Sequence, residues 1–98
     1  MNSTKSKAVK IEKEEVDSLH FPKESVILDK ASEATLKIYL DNALTLGNLE
    51  HSKVKIFFED SLGSKYVETT VWSVSDKNIS LKKEVHIPIH RIHYIELI

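Results

Sequence analysis

The hydrophobic period of the chain changes at Lys53, and this switch constrains the fold more than any other feature. Upstream, Leu36, Tyr39, Leu40, Ala43, Leu44 and Gly47 fall at i, i+3, i+4, i+7, i+8 and i+11, which keeps one face of a 3.6-residue helix apolar or small. A strand template accounts for Leu36, Ile38 and Leu40 but fails after Asp41. Asp29 or Ser32 can cap the first turn, and Gly47-Asn48 offers a left-handed residue to end it. The spacing therefore predicts a helix over about 31–46.

Downstream the period is two. Val54, Ile56 and Phe58 alternate with Lys55, Phe57 and Glu59, and 60–64 is a glycine-bearing loop of hairpin length. A long second strand is predicted over 66–75, a tight turn at 76–78, a third strand at 79–81, and a turn at 82–84 into Val85-His86-Ile87. Pro88 cannot donate to a ladder. The run 87–98 therefore reads as a strand end, one 3₁₀ turn over 88–91, and a last strand with Ile92, Ile95 and Leu97 inward and Tyr94 and Glu96 outward.

Ninety-eight residues fit a single domain, here 9–98, behind a polar, aperiodic start at 1–8 that is expected to be disordered. From Val9 to Leu28 the pattern is mixed: Glu12, Glu14, Glu15 and Asp17 form an acidic run, and Val16, Leu19 and Phe21 are apolar points before Pro22. The pattern predicts a short helical turn stopped at Pro22 and a short strand at 25–28. Fourteen basic residues against fifteen acidic ones leave a net charge of -1, so charge alone provides no polyanion-binding surface. Arg91 is the single arginine, the one planar fork available for a phosphate or carboxylate. Without cysteine there is no disulfide, thiolate metal site or cysteine nucleophile. No signal-like or membrane-spanning apolar run is present, so the expected location is cytoplasmic, with no membrane partner.

A helix followed by short antiparallel strands, with Asn78-Ile79-Ser80-Leu81 and Ile87-Pro88-Ile89-His90-Arg91-Ile92-His93-Tyr94-Ile95 near the end, resembles the small SH3-like and Sm-like barrels. The resemblance implies an α+β fold: one amphipathic helix followed by a small antiparallel SH3-like or Sm-like β-barrel over about 53–98. Sm-like barrels include RNA chaperones, which implies RNA as a ligand class. Leu46-Gly47-Asn48, Lys53-Val54-Lys55-Ile56-Phe57-Phe58 and Val67-Glu68-Thr69-Thr70-Val71-Trp72, with Ile87-Pro88-Ile89-His90-Arg91-Ile92, are also similar to short uncharacterised proteins of Bacteroidetes bacteria. That likeness implies an origin and no activity.

Three residue sets could carry function. Phe57, Tyr66 and Tyr94 on outward strand positions would form an interaction face for a protein partner or a second copy, next to any strand edge left unpaired. Lys82, Lys83 and Arg91 beside an exposed aromatic among Phe57, Tyr66, Trp72 and Tyr94 would suit RNA or single-stranded nucleic acid, the alternative that the neutral charge disfavours, although Trp72 and Phe58 read equally as core. His86, His90 and His93 have the residue type of a metal site, but outward histidines on a closing strand are the preferred account, and no cofactor is expected. Ser18 near His20 and Ser52 beside His51 lack a strained elbow, and two glycines cannot make a nucleotide loop. The expectation is a binding module and not an enzyme.

Overall fold

The change of period marks a real boundary in the computed structural model, which describes residues 8–98. The disordered start expected for 1–8 lies outside the described residues apart from Ala8. Helix α1 spans Lys30–Glu50. Its N-cap is Asp29, whose carboxylate accepts the Ser32 N–H at 3.0 Å. That hydrogen bond holds the Asp29 carboxyl below its usual range.

The helix runs a turn past the expected end because Gly47 does not terminate it. Gly47 is buried inside the helix, where a Cβ would overlap the Val71 carbonyl oxygen. The left-handed cap is His51, at φ 55°, and its N–H bonds to the Gly47 carbonyl at 3.0 Å.

The strands are β1 (Val9–Lys10), β2 (Val54–Asp60), β3 (Gly63–Thr69), β4 (Val71–Val74), β5 (Asn78–Leu81), β6 (Val85–Pro88) and β7 (Ile92–Leu97). They form a four-stranded sheet ordered β1-β3-β2-β7 and a three-stranded sheet ordered β4-β5-β6. β1 runs parallel to β3, and the other pairings are antiparallel. The expected strand over 66–75 is thus two strands, broken at Thr70, and β3 begins as early as Gly63. The β2–β3 turn needs only Ser61 and Leu62 because the Asp60 carboxylate gathers the Leu62 and Gly63 N–H groups, each at 3.1 Å.

No strand forms at 25–28. Val26 donates its N–H to the His90 carbonyl, an isolated bond, and Asp29 soon starts the helix cap. The helical turn upstream is a 3₁₀ helix over Lys13–Ser18, with a capping box between Glu12 and Glu15. The turn after Pro88 is a 3₁₀ helix over Ile89–Arg91.

The core lies between the sheets and α1. Leu36, Leu40 and Ala43 from the helix meet Ile56 and Phe58 of β2, Ile79 and Leu81 of β5, and Ile92 and Ile95 of β7. Leu97, expected inward, is 39% exposed, because β7 pairs there with Val54, the first residue of β2, at the end of the sheet. The terminal strands have intrachain neighbours: α1 packs against β4 and β7, the first 3₁₀ helix against β6, and β1 pairs with β3. The class is α+β, and the two sheets do not close into a barrel. No helix of the described residues is long and apolar enough to cross a membrane.

Candidate functional site

Alternation along β2 sends Val54, Ile56 and Phe58 to the core and Lys55, Phe57 and Glu59 to the other face. Register then sets Phe57 between Tyr66 of β3 and Tyr94 of β7. The rings stack at centroid distances of 5.0 and 4.6 Å, with interplanar angles of 26° and 12°. Such pairs add roughly 0.5–1.5 kcal/mol each beyond area burial.

Phe57, Tyr66 and Tyr94 therefore do come together, with one correction. Phe57 is only 2% exposed, because the two tyrosines close over its faces. What the row offers a partner is the half-buried Tyr66 and Tyr94. A charged row, Glu68–Lys55–Glu96, lies beside it, with Lys55 3.8 Å from Glu96 and 5.8 Å from the Tyr66 ring centre.

On the far side of the rings, two residues of β7 oppose one step of β2, so His93 is the extra residue of a β-bulge. Its Nε2 lies 3.0 Å from a Glu59 carboxylate oxygen. Arg91 is 5% exposed. It donates to the Glu59 carbonyl at 2.9 Å and the Glu24 carbonyl at 2.6 Å, and lies 3.8 Å from the Glu59 carboxylate. With His90, whose Nε2 is 2.8 Å from the Pro22 carbonyl oxygen, it fastens the segment before α1 to the sheet. The structure thus separates Arg91 from Lys82 and Lys83, which are exposed in the β5–β6 loop.

The histidines are separated as well. His90 is engaged with Pro22, His93 with Glu59, and His86 is exposed on β6. The described residues contain no group of three or more histidine or carboxylate side chains that could hold a metal ion.

The second sheet has its own outward face. Two residues of β4, from Val71 to Ser73, oppose one step of β5, so Trp72 is the extra residue of a second bulge. It is 46% exposed and lies apart from the other aromatic row, 6.0 Å from the His51 ring. Ser73 faces Ser80, and Ser80 faces His86. With Leu81, Lys83 and Glu84 these residues line a shallow hollow of about 390 Å³. A larger groove of about 910 Å³ runs beside the first half of α1, floored by Ile27, Leu36, Leu40, Val74 and Ile89.

Sequence reasoning missed Asp60. Its Oδ1 accepts from Lys65 Nζ at 2.7 Å as well as from the turn, while the buried Oδ2 has no partner. Burial pushes this carboxyl up, but Lys65 and the two turn N–H groups outweigh it and hold it below its usual range. The signal was parity: Asp60 continues the inward series Val54, Ile56, Phe58. Comparison with family models, curated proteins and solved structures found no match.

Proposed function

We propose that the protein is a non-catalytic binding module of the SH3-like or Sm-like small-barrel type, acting in the cytoplasm and engaging a protein partner or a second copy of itself. The barrel reading is supported by the path of the chain. The pairings run β7-β2-β3 and, beyond Thr70, β4-β5-β6, with a single 3₁₀ turn between β6 and β7.

The observation that carries the interaction reading is the Tyr66–Phe57–Tyr94 row, with Glu68, Lys55 and Glu96 along its side. Rigid aromatic groups at the centre and charge at the rim are the anatomy of a protein interface, and tyrosine is enriched among residues that dominate binding energy. The nucleic-acid alternative has lost its arginine to contacts inside the chain.

The test keeps Phe57 covered. Tyr66→Arg and Tyr94→Arg retain long stems over the ring but place charge at the centre of the face. The double variant is expected to remain folded by circular dichroism and to lose the self-association of the wild-type chain in sedimentation equilibrium. A variant that associates as the wild type does would remove this face from the proposal.

A further inference from the structure

We propose that the hollow beside Trp72 binds one ring of a neutral carbohydrate chain, with a C–H face of the sugar on the indole and its hydroxyls on Ser73, Ser80, His86, Lys83 and Glu84. This site is on the second sheet and is independent of the interaction face on the first.

The first support is the aromatic plate itself. A tryptophan 46% exposed, with the His51 ring tilted 6.0 Å from it and serine and histidine lining the hollow it borders, offers a flat apolar surface among polar groups. Its bulge re-aims it out of the regular alternation of β4, as bulges do beside binding sites. The second support is the donor and acceptor inventory. Ser73, Ser80 and His86 form a row across three strands. Hydroxyl and imidazole groups both donate and accept, an ammonium only donates and a carboxylate only accepts. Sugar hydroxyls need both kinds of partner around one ring.

Charge selects a neutral ligand over a polyanion. Lys82 and Lys83 on the loop lie with Glu84 in the hollow and with Glu14, which is 3.9 Å from Lys83 and 3.3 Å from Lys13. Three lysines against two glutamates leave a strand of phosphates little positive charge to bind, and the whole chain carries -1.

The loop is also held in a demanding shape. Lys83 and Glu84 are consecutive left-handed residues, at φ 67° and 62°, where glycine would be more at ease. Glycine at either position would relax the backbone and delete a hydrogen-bonding group from the hollow. Retaining the side chains at that cost is what a site requires.

Trp72 is the only tryptophan in the chain, so its emission reports on this hollow alone. The experiment titrates the full chain with cellotetraose, maltotetraose, laminaritetraose and chitotetraose, following emission and heat. A saturable change with at least one of the four, unaffected by added salt, is expected. Trp72→Leu, followed by calorimetry, should abolish binding. Lys83→Gly/Glu84→Gly should unfold at the same or a higher temperature yet bind about tenfold or more weakly, a loss worth roughly 1.4 kcal/mol. A purely structural loop would show the thermal change without the binding change, and that result overturns the proposal. So does silence with all four sugars, or saturable and steeply salt-dependent quenching by a single-stranded oligouridine in their place, which would reassign the hollow to nucleic acid.

Discussion

Gly47 shows how one atom sets the distance between helix and sheet. In an exposed helix, Gly→Ala gains about 1 kcal/mol from propensity. Here the added methyl meets the carbonyl oxygen of Val71, the first residue of β4, and lies 3.1 Å from the methyl of Thr70 just before it. Overlap with backbone outweighs propensity, so Gly47→Ala is expected to lose about 2 kcal/mol in urea denaturation. A variant as stable as the wild type would refute the close approach. Asp60 is the other residue whose environment decides a number. Asp60→Ala leaves Lys65 unpaired and the turn N–H groups without an acceptor, and should cost about 2–3 kcal/mol. Because the folded carboxyl lies below its usual value of 3.8, the stability it contributes is complete above that value and is lost as pH falls through the folded pKa. Stability curves of wild type and Asp60→Asn should therefore converge on acidification below 3.8, and parallel curves in that window would count against the ion pair.

At the scale of the elements, the helix terminus gives a sharp expectation. His51 occupies the left-handed position that a glycine most readily fills. Left-handed strain of about 1–2 kcal/mol exceeds what a tilted ring contact at 6.0 Å contributes, so His51→Gly is expected to raise stability by about 0.5–1 kcal/mol, read as a higher melting temperature. The same helix shows what the sequence could say. Its apolar face and its Asp29 cap were legible because both depend on neighbours a few residues away. Its end was not: Gly47 looked like a terminator, and only the approach of β4 reveals the other reason for a glycine. In the strands, parity placed Phe57 on the correct face. Its burial was illegible, since that comes from Tyr66 and Tyr94 on other strands. The position of Arg91 is illegible for a related reason, as its partners include the main-chain carbonyls of Glu24 and Glu59, and a carbonyl has no sequence signature. The bulges at Trp72 and His93 likewise arise from pairing, so the separation of the three histidines could not be read from their spacing.

For the molecule as a whole, the segment ahead of α1 acts as cladding. Val16, 1% exposed, seats the first 3₁₀ helix, which packs against β6, and Arg91 and His90 hold the stretch that follows. Val16→Lys should loosen this cover and make the chain aggregate on mild heating more readily than Leu40→Ala, whose core cavity costs roughly 2–5 kcal/mol but leaves β6 shielded. Light scattering at matched fractions unfolded separates the two, and equal scattering would mean the segment protects nothing. The position of β2 has a different consequence. It pairs with β3 along its whole length and with β7 along most of it, whereas β1 holds its neighbour through two residues. In the order β1-β3-β2-β7 only the ladder between β2 and β3 joins two inner strands, so fraying of β1 or β7 does not bare the β2 amides bonded to β3; in deuterium oxide these should exchange last, at the rate of global opening, while those of β1 are lost early through local opening.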